Sequence, residues 1–327
     1  MIYEITLQQI FAPIQKKMDE LKDFCKTILH HTNPTVDAIL SGINLSEGKK
    51  LRPAMVFLSA GMAGEINQIT QITAFGLELL HYSSLLHDDV VDNGYKRHNQ
   101  PTLNAVWNNK IAVLAGDYLL SEGMGIIAKG NHHKLLSKLI SITKTMTYGE
   151  LLQLNKSDNI LISEQEYMEI IYCKTASLIS ACFEMGTASC TSDKKIISQL
   201  KKFGEEVGII FQLKDDLLDY QSDNSSQKDA HKDIKEHKIT LPFIVALQQT
   251  PESERQQLLD LYNNHSGNSS DIQTIIRLVI ERGGINYTEN LMNKKTNQCL
   301  DFVNQQQDSD YKQSLSLLIQ FIRDRKF

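Results

Sequence analysis

The chain has 327 residues, 41% hydrophobic and 22% charged, with 6 prolines and 17 glycines: enough apolar matter for a sizeable core, and little to interrupt long helices. A formal charge of -5 and a pI near 6.1 exclude the basic surplus of a nucleic-acid binder, while leaving local cation clusters available for small anions. The 5 cysteines (Cys25, Cys173, Cys182, Cys190, Cys299) form no CxxC pair and have no histidine at zinc-finger spacing, so they read as reduced packing thiols of a cytoplasmic protein.

The opening MIYEITLQQIFAPIQKKMDELKDF mixes acids with bases and lacks an apolar core segment. It is expected to be no signal peptide but a first amphipathic helix, with Ile10, Ile14, Met18 and Leu21 at helical spacing. Asn33-Pro34 marks a turn. Leu77, Leu80, Ser84 and Val91 carry the helical period through a later segment, which the Gly94 to Pro101 stretch ends. Further helical pattern covers 107–128, 135–154, 164–188, 193–220, 239–248, 271–281 and 284–303, with turn signals at Gly130-Asn131 and Ser222 to Lys228. The run IAVLAGDYLL is broken by Asp117 and too short to cross a bilayer, so no transmembrane segment is expected. NNHSGNSS, residues 263–270, is the most linker-like piece, yet helical pattern continues on both sides. The reading is one all-α domain over 1–327, built from about ten to thirteen helices.

The strongest chemical feature is LLHDDVVD, residues 85–92. Asp88 and Asp92 lie four apart, on one helix face, where two carboxylates repel unless a cation sits between them. Mg²⁺ suits such a pair, because it takes hard oxygen ligands and completes its shell with water and substrate phosphates. Alone, this pattern reads most simply as a solvated acidic face. It recurs, however, in FQLKDDLLDY, where Asp215, Asp216 and Asp219 repeat the arrangement and Gln212 shares their stripe. Two acidic faces in otherwise apolar helices are costly to bury unpaired. Facing each other, they are expected to hold Mg²⁺ ions and a diphosphate.

Cations accompany the carboxylates. Lys49 and Arg52 lie three apart in GKKLRP, and His81 precedes Asp88 by two helical turns. Arg97 follows the first acidic motif, Lys174-Thr175 opens a TASL segment, and Lys228, Lys232, Lys235 and Lys238 follow the second motif. Each lone cation reads as surface decoration; their placement beside the carboxylates favours a site for charged phosphates.

The ordered set GKKLRP, HYSSLLHDDVVD, KRHNQPT, GDYLL, KTASL, FQLKDDLLDY and DIKEHKITLP resembles the trans-isoprenyl diphosphate synthases, most of all the bacterial polyprenyl diphosphate synthases, from the first helix to the closing FIRDRKF. The resemblance implies an all-α bundle of long helices around a deep central cavity, usually a homodimer. It implies condensation of isopentenyl diphosphate with an allylic diphosphate, by Mg²⁺-assisted ionisation, condensation and elimination. Asp88, Asp92, Asp215 and Asp219 become metal ligands, the first three counted with Lys174 as catalytic. Lys49, Arg52 and His81 would hold isopentenyl diphosphate. Arg97, Lys174, Thr175, Gln212, Lys238 and, more weakly, Lys228 would hold the allylic diphosphate. Leaving-group charge is then met by metal and fixed cations, the carbocation is shielded from water, and the departed diphosphate takes the proton.

Three departures accompany the match. Arg97-His98-Asn99 stands where the family has Arg-Arg-Gly, which leaves two readings of the second cation: His98 meets the diphosphate and isopentenyl diphosphate binds more weakly as pH rises, or His98 points to solvent. Gln227 to Asp233 lacks the glycines and proline of the family's loop, and Glu47-Gly48 replaces a doubled glycine. Product length is read from helix geometry. Ser84 and Ser83 lie roughly 6 and 7.5 Å below Asp88, Leu77 and Gly76 roughly 16 to 18 Å. Small serines leave that level open, predicting a product longer than twenty carbons, with Tyr82 the complication. The alternatives are a non-catalytic subunit of a heteromeric synthase, which would have lost aspartates, and a class I terpene cyclase, which would lack Lys49, Arg52 and His81.

Overall fold

The computed structural model describes residues 5–43, 45, 48–97, 100–156, 162–221, 231–265 and 267–326. Its helices begin where a side chain can satisfy the free N–H groups of a first turn. Thr6 and Gln9 form a capping box at α1 (Leu7–Phe11), which a 3₁₀ turn at Ala12–Ile14, containing Pro13, separates from α2 (Gln15–Ile28). Asn33 caps α3 (Pro34–Ser41), with proline at the first helical position. Next come α4 (Leu51–Ala63) and α5 (Gln68–Val91), the latter opened by an Asn67–Thr70 capping box. Lys96–Arg97 (β1) pairs antiparallel with Gln100–Pro101 (β2), the only strands among the described residues.

The chain continues through α6 (Leu103–Val106), α7 (Asn109–Lys129), α8 (His133–Lys156) and α9 (Glu164–Ile171). A π-helical turn at Tyr172–Ala176 leads into α10 (Ser177–Ala188). There follow α11 (Lys194–Gln221), α12 (Lys232–Lys235), α13 (Leu241–Gln249), α14 (Glu252–Asn264), α15 (Ser269–Glu281), α16 (Gly284–Asn304) and α17 (Asp310–Asp324). The 17 α-helices among the described residues exceed the expected number. The surplus comes from one-turn helices such as α6 and α12, too short to show a hydrophobic period, and from breaks inside longer runs.

The chain divides into two units. The first takes Met1–Thr143, Ala181–Lys202 and Gln307–Leu317. Its seam runs along α5 and α7, where Gly76 and Gly123 allow close backbone approach: a Cβ on Gly123 would lie 3.0 Å from the Gly76 carbonyl. At the other end of the seam Gly116 makes room for the His87 ring. On another flank of α5, Phe75 stacks on Phe24 of α2 at 4.0 Å. Ala54 to Leu58 of α4 are essentially solvent-free, and Gly186 of α10 lies against Ser59 and Val56. The second unit takes Lys144–Ser180, Phe203–Gln306 and Leu318–Phe327. Its core gathers Tyr220, Ile234, Phe243, Tyr262, Ile275 and Val279, each large side chain contributing about 1.5–3 kcal/mol by burial.

The run IAVLAGDYLL belongs to α7, a 21-residue helix that is long and apolar enough to cross a membrane by length and composition. Its most apolar stretch is 33% buried within this chain. The sequence had suggested too short a segment, because Asp117 interrupts the run; in the structure Asp117 lies 3.4 Å from the His87 ring on α5.

Candidate active site

In the first unit, α5 presents His81, Asp88 and Asp92 along one stripe, seven and four residues apart. Asp88 is half-buried, whereas Asp92 is exposed at the helix end and donates its N–H to the Asp88 carbonyl at 2.8 Å. Arg52, in the first turn of α4, donates Nη1–H to His81 Nε2 at 2.9 Å. A guanidinium has no acceptor, so Nε2 must accept and the neutral ring carries its proton on Nδ1. Burial pushes the His81 pKa well below the ordinary histidine value, and the charges of Arg52, Arg97 and Lys50 push the same way. His81 is therefore a neutral hydrogen-bond donor at physiological pH, aligned by a cation. Lys49 sits half-buried three residues before Arg52.

Arg97 is oriented by a residue that the four-apart arithmetic passed over. Asp89, buried within the motif, accepts from Arg97 Nε and Nη2 at 3.1 and 2.8 Å. Asn104 ties the same turn together by donating to the carbonyls of Asp89 and Gly94. His98 and its neighbour Asn99 lie outside the described residues. The two serines separate by face. Ser84 is half-buried on the Asp88 stripe, its hydroxyl bonded to the His81 carbonyl at 2.8 Å. Ser83 is 2% exposed, on the stripe of Gly76 and His87 that packs against α7.

In the second unit, the π-helical turn carries Lys174 and Thr175, and Gly208 of α11 lets Ala176 approach closely. Extra-wide turns of this kind recur where side chains are re-aimed for function. Thr175 donates to Gln212 Oε1 at 2.8 Å, and Gln212 passes a hydrogen bond to Asp216 at 3.0 Å. Asp216 is fully enclosed and also accepts from the Tyr167 hydroxyl at 2.5 Å and the Leu241 N–H at 3.3 Å. Burial raises its pKa to about 7 despite those donors. Lys174 meets Glu150 at 2.9 Å and hydrogen-bonds Gln153, and Lys238 meets Glu236 at 2.8 Å. Lys228 lies outside the described residues.

The second carboxylate pair has partners that sequence spacing did not reveal. Asp215 pairs with Arg325, just beyond α17, at 2.8 Å. That guanidinium also donates to the Phe211 carbonyl at 2.8 Å and lies 4.0 Å from the Phe211 ring centre. Asp219 accepts the Ile234 N–H at 3.3 Å, at the start of α12. Burial raises the Asp219 pKa, and the amides of Ile234, Asp233 and Lys232 hold it down. Asp233 is pushed up to about 6, first by burial and then by the Asp219 charge. Nothing in local spacing announces Arg325 or Tyr167, because they reach the motif only through the fold.

Among the described residues no three acidic, histidine or cysteine side chains form a ready-made chelate. The donor set still suits a hard cation: Asp88 and Asp92 supply oxygens on one stripe and leave most of a coordination shell to water and phosphate, as Mg²⁺ prefers.

These helices make up the all-α isoprenoid synthase fold. The polyprenyl synthetase family model matches residues 33–279, and the chain belongs to that family. It is 31% identical to the all-trans-nonaprenyl-diphosphate synthase (geranyl-diphosphate specific) of Rhodobacter capsulatus, over 97% of this chain and 98% of that one. A solved polyprenyl synthase from Caulobacter crescentus CB15, complexed with calcium and isoprenyl diphosphate, superposes with a TM-score of 0.91 at 26% identity over 100% of both chains. A geranylgeranyl pyrophosphate synthase from Bacteroides thetaiotaomicron matches with a TM-score of 0.83 at 29% identity, covering 97% of this chain and 99% of that one.

Proposed function

We propose that this protein is a trans-prenyltransferase that condenses isopentenyl diphosphate with an allylic diphosphate to make a polyprenyl diphosphate. The observation that carries the reading is the α5 stripe, where Arg52-aligned His81 stands two turns from Asp88 and Asp92. A diphosphate-binding group beside a carboxylate pair suits an enzyme that handles two diphosphates. Full-length similarity to a nonaprenyl synthase supports the same conclusion.

Asp88, Asp92, Asp215 and Asp219 are the proposed Mg²⁺ ligands; the relative solved with calcium supports a divalent ion. When bound, the metal neutralises charge building on the leaving diphosphate. Lys49 and Arg52 hold the diphosphate of isopentenyl diphosphate, and His81 donates Nδ1–H to it. His98 adds a pH-dependent cation. Arg97, Lys174, Thr175, Gln212, Lys238 and Lys228 hold the allylic diphosphate, and Lys174 exchanges Glu150 and Gln153 for it. The allylic C–O bond breaks, the isopentenyl double bond attacks the cation, and the departed diphosphate removes the proton. The open Ser84 level favours a product longer than twenty carbons.

One domain over 1–327 accords with helices α8, α10, α11 and α17, each of which runs unbroken across a boundary between the two units. A homodimer accords with exposed Leu114 and Val113 on α7 and Trp107 at the end of α6, apolar groups that a second copy would cover. The five cysteines are free thiols, as a reducing cytoplasm would keep them. The test is incubation with Mg²⁺, labelled isopentenyl diphosphate and each allylic primer in turn, sizing products by chromatography. Elongation past twenty carbons is expected; no elongation of any primer would overturn the reading.

A further inference from the structure

Lys50, next to the proposed diphosphate-binding Lys49, is turned inward. Its ammonium lies 3.0 Å from Glu78 Oε1 and 2.6 Å from the Tyr82 hydroxyl, and it also donates to the Leu45 carbonyl. It sits 4.4 Å from the Tyr82 ring centre. The ion pair is enclosed, with side-chain exposures of 14% for Lys50 and 4% for Glu78. Burial works against the Lys50 charge, but Glu78 and Tyr82 outweigh it and raise the pKa. The ammonium therefore stays charged inside the protein.

This cluster joins a strained loop to a rigid helix. Lys50 is left-handed at φ 49 and Gly48 at φ 86, so two nearby residues adopt a conformation that L side chains avoid. Glu78 and Tyr82 are one turn apart on α5, and His81 lies between them in sequence. Arg52, two residues beyond Lys50, meets His81 at 2.9 Å. A Cβ on Gly48 would lie 3.8 Å from the Tyr82 hydroxyl, so the same side chain also borders the loop. The segment is thus held at its centre, by Lys50 on Glu78 and Tyr82 one helical turn apart, and at its Arg52 end, by His81.

Resting on the proposed function, we infer that Lys50 is a positioning residue: its bonds to Glu78 and Tyr82 hold the left-handed turn that sets Lys49 and Arg52 for the diphosphate of isopentenyl diphosphate. The same bonds keep the Tyr82 ring on the α2-facing flank of α5 that Phe75 shares, away from the Ser84 stripe.

Removing one charge strands the other inside the protein, whereas replacing both with apolar groups preserves folding. The decisive variant is therefore Lys50→Met/Glu78→Met, with Tyr82→Phe as a milder one. In the double variant the thermal midpoint is expected to stay near the parent's, while KM for isopentenyl diphosphate rises about 10- to 100-fold, equivalent to about 1.4–2.7 kcal/mol. KM for the allylic primer and kcat should change less than about threefold. Tyr82→Phe should raise the isopentenyl diphosphate KM about threefold. Calorimetric titration of isopentenyl diphosphate supplies a readout independent of turnover. An isopentenyl diphosphate KM within twofold of the parent, in a folded double variant, overturns the inference. If the parent catalyses no condensation yet binds isopentenyl diphosphate more tightly than the double variant, the function is wrong and the positioning role stands.

Discussion

Arg325→Gln isolates a contact that local sequence spacing does not announce. The Arg325 side chain is 8% exposed and that of Asp215 38% exposed, and they meet at 2.8 Å. The pair falls between an exposed ion pair, worth about 0.2–1 kcal/mol, and a buried charged hydrogen bond, worth about 1.5–3 kcal/mol. Screening at the half-open Asp215 end brings the working figure to about 1 kcal/mol. A metal that takes Asp215 must displace this partner, so Arg325→Gln should tighten Mg²⁺ binding about fivefold in the absence of substrate. The assay follows the thermal midpoint against Mg²⁺ concentration for the parent, Arg325→Gln and Asp215→Asn. The concentration giving half-maximal protection should fall for Arg325→Gln, and the protection should shrink for Asp215→Asn. Equal or weaker metal response in Arg325→Gln would show that the guanidinium does not compete for this carboxylate.

Other outcomes follow from the same geometry. Asp88→Ala should cut turnover by about two orders of magnitude or more while circular dichroism keeps its helical signal, since like-charge repulsion on α5 falls; near-normal turnover would remove Asp88 from the site. Ser84→Phe should shorten the product, read by chromatography, whereas Ser83→Phe should lower stability by about 1–3 kcal/mol by overpacking the α5–α7 seam. A longer product from Ser84→Phe would overturn the stripe assignment. His81 is held neutral, so above the ordinary histidine pKa near 6.5 it costs no stability. As pH falls below that value the unfolded chain gains a proton that folded His81 refuses, removing up to about 1.4 kcal/mol per pH unit until the folded pKa is reached. His81→Gln should flatten the thermal midpoint between pH 7 and 5; parallel curves would count against a buried neutral ring.

What the sequence determined by itself was periodic or local. The 3.6-residue spacing of Ile10, Ile14, Met18 and Leu21 runs through α1, the 3₁₀ turn and α2, because one apolar face must be buried wherever the helix packs. The stripes of Asp88 with Asp92 and of Gln212 with Asp215 and Asp219 follow from helix arithmetic alone. One-turn helices such as α6 and α12 were not legible, since four residues cannot show a period. Tertiary structure alone decided which of two adjacent serines is buried, because only the path of α7 distinguishes the flanks of α5. It likewise decided that Lys50, passed over in GKKLRP in favour of Lys49 and Arg52, turns inward onto Glu78 and Tyr82. Partners separated by long stretches of chain, Glu78 for Lys50, Tyr167 for Asp216 and Arg325 for Asp215, meet only through packing. A charge reports its presence in the sequence, but the partner that neutralises it is selected by burial, where an unpaired group costs more than folding can spare.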